Sequence, residues 1–282
     1  MNAKVKIARL SVLSNSILII IKLIVGFISG SVSILSEAIH SSMDLIAAVI
    51  AFFSVKVSDT PPDSRHPYGH GKVENISGVI EAILIFIAAA LIIFEAVRKL
   101  LGEAIVLDKI WIGSLVMIIS AGINAYVSHR LYKVARETKS VALEADALHL
   151  KTDVFTSIGV AVGLALIIIT GIKWLDPIVA ILVALFIIKE SYELMKKAFT
   201  PLLDTAWNED EITELGTKLN QLKVNYHSLR TRVAGNYRFI DIHIEVPPEE
   251  TVGDAHKYCD EIENKLMADY ENLNVTIHVE PK

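Results

Sequence analysis

Two pairs of side chains in this sequence have the types and the spacing to hold a metal ion. His40 and Asp44 stand four apart in SEAIHSSMDLIAAVIAFF, and His149 and Asp153 stand four apart in EADALHLKTDVFTS. On a helix that spacing sets both members on one face, about 6 Å apart along the axis. Both pairs lie at the head of long apolar runs. An ionisable side chain at bilayer depth costs about 2.5–3.5 kcal/mol and therefore needs a partner or a function. Two helices carrying His-x-x-x-Asp supply two imidazole nitrogens and two carboxylate oxygens, a donor set suited to four-coordinate Zn²⁺. Buried polar pairs also glue helices together, but two independent copies of one costly spacing favour ligation. A closed four-ligand shell leaves no open position for a reactive water, which argues against an intramembrane metalloprotease.

Two further groups hold ligand-type residues. Asp63, His66 and His70 fall within DSRHPYGHGK, a loop stiffened by Pro67 and Gly69; it reads equally as a metal site or as an ordinary polar loop. His227, His243, His256, His278 and Glu280 cluster near the C-terminus, with His278 and Glu280 on one face of a strand at spacing two. Asp146 and Glu37 each precede a ligand-type histidine by three residues, and either line the site's mouth or serve helix-end or pairing roles. Lys22 either snorkels or pairs with an acid.

The elements that must position these residues follow from composition. The chain has 282 residues, 52% of them hydrophobic, and a mean hydropathy of +0.48, with the apolar residues in long blocks. That is a polytopic membrane protein. The net charge of −5 gives no reason to expect nucleic acid as a partner. The single cysteine, Cys259, excludes an internal disulfide framework and a cysteine-rich metal site. Six spans are predicted, at about 8–29, 33–55, 76–97, 110–131, 145–171 and 175–197.

Lys4, Lys6, Arg9, Lys56, Arg65, Lys72, Arg130, Lys133, Arg136, Lys139, Lys196 and Lys197 gather on one side of these spans. Only Arg98, Lys99, Lys109 and Lys173 lie on the other, a bias that puts both termini in the cytoplasm. After about Thr205, short mixed segments replace the apolar blocks. Their periodicity predicts an αββαβ order, with Gly235-Asn236 as the hairpin turn. The division is 1–203 for a six-span transmembrane domain and 204–282 for a small α+β domain. A domain of that size has a modest core, so dimerisation or bound metal would help hold it together.

HSSMD, DSRHPYGHGK, ALHLKTD, HSLRTRVAGNYRFIDIHIE and the closing IHVE, in that order, closely resemble the cation diffusion facilitator family of metal/proton antiporters over essentially the whole chain. The resemblance implies six transmembrane helices and a cytoplasmic metallochaperone-like domain, in a multi-pass homodimer of the cell membrane. It implies no enzymatic activity. It assigns His40, Asp44, His149 and Asp153 to the transport site, and Asp63, His66 and His70 to a loop site. It assigns His227, His243, His256 and His278, with Glu280 where close relatives carry Asp, to a cytoplasmic binuclear site. Lys72 and Asp204 resemble the interlock between the membrane and soluble parts. His at position 40, where many bacterial relatives have Asp, resembles the zinc-preferring branch. The expected cargo and regulatory ion is Zn²⁺, with Cd²⁺ as a second substrate and protons counter-transported across the lipid bilayer. The alternatives are Mn²⁺ or Fe²⁺ efflux by the same fold, or a membrane-anchored zinc sensor.

Overall fold

The computed structural model describes residues 3–29, 32–101, 110–172, 174–270 and 272–282. Lys109 and Lys173, and the side chain of Glu37, lie outside the described residues. The chain separates into two compact units, residues 1–199 and 200–282.

The first unit is helical: α1 (Ala3–Ser29), α2 (Val32–Ser58), α3 (Lys72–Leu100), α4 (Ile110–Thr138), α5 (Val141–Thr170) and α6 (Leu175–Phe199). Ala3–Ile28, Ala38–Ser58 and Lys72–Leu100 are long and apolar enough, among the described residues, to cross a membrane. Outward-facing apolar side chains, such as Phe27 at 75% exposed, Ile28 at 83% and Ile169 at 79%, are what a lipid-facing surface requires. The seams between helices are rich in small residues. Ala47, Ala48 and Ala51 on α2, Ala82 and Ala89 on α3, and Ala142, Ala145 and Ala147 on α5 are all fully buried. With lipid as apolar as any side chain, close approach and packing must supply the cohesion. Gly78 shows how close the helices come: a Cβ there would meet Val141 Cγ1 at 2.9 Å and Ala198 Cβ at 3.0 Å.

The helices run past the predicted spans. α4 continues through Arg130, Lys133 and Arg136, because hydropathy marks the bilayer-crossing length whereas caps mark the helix end. The break before α5 is local: Lys139 adopts φ 52°, and Ser140 Oγ accepts the backbone N–H of Leu143 at 3.4 Å. Gly171, at φ 72°, closes the other end of α5.

The second unit opens with a 3₁₀ turn, Thr200–Leu203, and continues α7 (Glu209–Gln221), β1 (Tyr226–Ala234), β2 (Tyr237–Val246), α8 (Val252–Asp269) and β3 (Leu273–Pro281). This is the expected αββαβ order. The sheet runs β1-β2-β3, antiparallel between β1 and β2 and parallel between β2 and β3. Asn208 and Thr251 cap the two helices through their side-chain oxygens. Ile240, Ile242 and Ile244 alternate along β2 and meet Leu215, Leu219, Ile262 and Leu266 of the helices in one core. The period-2 rule therefore sends Asp241, His243 and Glu245 to the opposite face.

Candidate functional site

α2 and α5 pack against each other and bring the two His-x-x-x-Asp pairs together. Nε2 of His149 lies 3.2 Å from Oδ1 of Asp44, and Nε2 of His40 lies 3.9 Å from Oδ1 of Asp153. Ligand atoms of His40, Asp44 and Asp153 all fall within 4.8 Å of one another. A tetrahedral ion with ligands near 2.05 Å sets its donors about 3.4 Å apart. One pair is thus already at ligand spacing and the other closes with a shift of a few tenths of an ångström. The two pairs differ in access. The side chains of His149 and Asp44 are 9% and 4% exposed, those of His40 and Asp153 54% and 19%.

Two neighbours of this shell come from other helices. Asn124 of α4 donates Nδ2–H to Asp153 Oδ2 at 3.4 Å. Lys22 of α1, buried at 6% exposed, donates to Ser41 Oγ at 2.7 Å, and its charge acts on Asp44. Lys22, expected either to snorkel or to pair with an acid, is turned inward beside the site. Asn124 was missed because a lone asparagine in an apolar run gives no spacing signal.

A second missed feature lies nearer the loop end of the bundle. Glu74 of α3, only 4% exposed, accepts from Lys4 Nζ at 3.0 Å, from Ser58 Oγ at 2.7 Å and from Ser140 Oγ. Lys4 also pairs with Asp59 at 2.6 Å. This one carboxylate joins α1, α2, α3 and the cap of α5.

The loop residues also converge. His66 Nδ1 lies 3.3 Å and His70 Nε2 3.6 Å from the Asp63 carboxylate, and the two rings are 4.4 Å apart. Asp63 Oδ1 accepts the backbone N–H groups of Arg65 and His66 at 2.8 and 2.7 Å. These donors hold its carboxyl below the usual carboxylate range. Gly69, at φ 81°, gives the turn that returns His70 to Asp63.

In the second unit the register places His227 opposite His243 and His243 opposite His278, a row of three imidazoles across three strands. Their rings stand 5.2 and 4.7 Å apart. Glu280 reaches all three: His227 Nε2 at 3.2 Å, His243 Nδ1 at 3.0 Å and His278 Nε2 at 3.4 Å. The structure does not bring His256 to this row; it sits on α8 against Asp260 at 3.8 Å, with its side chain 75% exposed. Lys72 begins α3 in the first unit, and Asp204 of the second, at φ 55°, pairs with Arg232 at 3.4 Å.

Comparison with known proteins matches the cation efflux transmembrane domain to residues 8–203 and the cation efflux protein cytoplasmic domain to residues 208–282. The chain is 37% identical over 257 residues to an uncharacterised transporter of Synechocystis sp., covering 90% of this chain and 83% of that one. It is 32% identical over 281 residues to the cation-efflux pump FieF of Shewanella oneidensis, covering 98% and 94%. It is 30% identical over 286 residues to an uncharacterised transporter of Methanocaldococcus jannaschii, covering 96% of each.

Proposed function

The chain belongs to the cation diffusion facilitator family, and on that premise we propose that it exports Zn²⁺ in exchange for protons. Family membership makes it a cation efflux transporter of the membrane and not an enzyme. The choice of ion and of counter-ion rests on the shell between α2 and α5. Donor atoms of His40, Asp44 and Asp153 fall within 4.8 Å of one another, and His149 Nε2 stands 3.2 Å from Asp44 Oδ1, the observation that carries the reading. Imidazole favours Zn²⁺, Cu²⁺, Ni²⁺ and Fe²⁺ over hard ions, and tetrahedral geometry favours Zn²⁺ among them. Cd²⁺ is a second substrate by the same chemistry.

Metal and protons compete for these donors, because a ligating histidine must be neutral and a ligating aspartate ionised. A histidine ordinarily titrates near 6.5, so protons arriving from the outer side empty the shell. Rocking of the bundle then returns it, protonated, to the cytoplasmic side. The six helices cross the bilayer with both termini cytoplasmic, as the distribution of Lys and Arg supports. In the second unit, His227, His243, His278 and Glu280 hold regulatory metal, and closure of a homodimer around that metal biases the transporter between its states. Asp63, His66 and His70 form the loop site.

Zinc uptake into proteoliposomes under an imposed pH gradient tests the assignment. Asp153→Ala should abolish uptake, and wild-type rates from that variant would end it. His40→Asp should raise Mn²⁺ transport relative to Zn²⁺ in the same assay, since a third carboxylate oxygen suits the harder ion. An unchanged ratio refutes the selectivity argument.

A further inference from the structure

The bundle buries two more acids that the transport shell does not use. Glu81 of α3 and Asp146 of α5 are both 0% exposed. Ala82 and Ile85 share one apolar cluster with Ala145 and Leu148, so the two helices pack together where these acids stand, and the two carboxylates repel each other. Glu81 Oε1 accepts from Ser77 Oγ at 3.2 Å, but Oε2 of Glu81 and both oxygens of Asp146 have no hydrogen-bond partner. The hydroxyl of Ser11 on α1, also 0% exposed, is placed to donate to Asp146 at the margin of hydrogen-bond geometry and has no other partner. The charged groups that act on Asp146 are His149 and Asp44, and Asp146 in turn acts on Glu81.

Buried oxygens in such number need something to bind. A proton shared between the acids would satisfy one oxygen of each and leave the other Asp146 oxygen to Ser11 alone. An ion with oxygen ligands takes six or more donors and can use them all, water included. Position along the helices adds the role. Glu74, Ser77 and Glu81 follow one another along α3 from its first turn, while Asp146 precedes His149 by one turn of α5. The acids therefore lie between the Glu74 end of the bundle and the transport shell.

We infer that Glu81 and Asp146, with the hydroxyls of Ser11 and Ser77, form a second, all-oxygen divalent-cation site that holds the ion on its way between the Glu74 end of the bundle and the α2/α5 shell. The transit role rests on the proposed function; the site itself does not. Oxygen donors without imidazole bind Zn²⁺ loosely, as a transit site must, and accept Mn²⁺ readily.

Mn²⁺ alone is the probe, titrated onto the full-length protein in lipid nanodiscs and counted by equilibrium dialysis and electron paramagnetic resonance. Glu81→Gln and Asp146→Asn should each lose one Mn²⁺ per protomer, both in the wild-type background and with Asp153→Ala, while Glu81→Asp retains it. Circular dichroism melting and dimer elution of each variant keep loss of fold separate from loss of the ion. An unchanged Mn²⁺ count in Glu81→Gln and Asp146→Asn overturns the site. Disappearance of that ion with Asp153→Ala alone also overturns it, because the ion would then belong to the transport shell. Wild-type zinc uptake by Asp153→Ala would remove the proposed function and the transit role, but the Mn²⁺ count would still decide the site.

Discussion

Replacing Glu74 by alanine tests whether the buried carboxylate joining four elements holds the bundle end shut. Removing one partner of a buried ion pair costs about 3–5 kcal/mol when the other charge is left stranded. Here Lys4 keeps Asp59 at 2.6 Å, so its share falls well below that range. The hydroxyl of Ser140 loses its acceptor as well, at about 1 kcal/mol, whereas Ser58 keeps the Val55 carbonyl at 3.1 Å and loses less. Together the loss is about 2–3 kcal/mol for Glu74→Ala, which by the scaling of domains of about 200 residues lowers the midpoint by about 8 °C. Glu74→Gln retains the volume and an acceptor oxygen and should cost about half as much. Helical ellipticity of the detergent-solubilised protein, followed on heating, gives both midpoints. Combining Lys4→Met with Glu74→Gln measures the coupling directly, with about 1–2 kcal/mol expected. A Glu74→Ala protein melting within about 2 °C of wild type, or additive effects in the double variant, would refute the reasoning.

Two further outcomes follow from the packing and the loop. Gly78→Val should destabilise the bundle by about 1–3 kcal/mol in the same melt, since even its first carbon meets Val141 and Ala198 and the added methyls must strain the helices further; a gain in stability would show that α3 is free to shift. The Asp63 carboxyl is held low in the folded loop, so its stabilisation is present above the ordinary carboxylate value near 3.9 and is lost as pH falls through the lower folded value. Amide exchange at Arg65 and His66 should accordingly stay protected below pH ~4, and protection lost at higher pH would count against the turn.

The sequence made the elements legible where periodicity was strong. Alternating Ile240, Ile242 and Ile244 against Asp241 and His243 mark β2 as a half-buried strand from the sequence alone. Spacing likewise paired His40 with Asp44 and His149 with Asp153, because a helix turns side chains four apart onto one face. What spacing cannot give is which faces meet. His256 lies on a helix whose apolar stripe fixes its rotation, and that rotation carries it to Asp260 and away from the sheet's histidine row. Lys4 illustrates a different blindness. In the sequence it counts among the basic residues flanking a first span, yet it is folded inward to 4% exposure by two acids far along the chain. Local composition carries no record of a pairing 70 residues long.

On the proposed function, the unequal access of the two halves of the α2/α5 shell, with His40 open and Asp44 closed off, would govern how an ion sheds its water. Exchange with the more exposed imidazole and its carboxylate would replace part of the hydration sphere while the remainder is still in place. The ion would then trade its last waters for the inner imidazole and carboxylate. Two short steps in place of one tall barrier would let the same four side chains take up the ion and let it go.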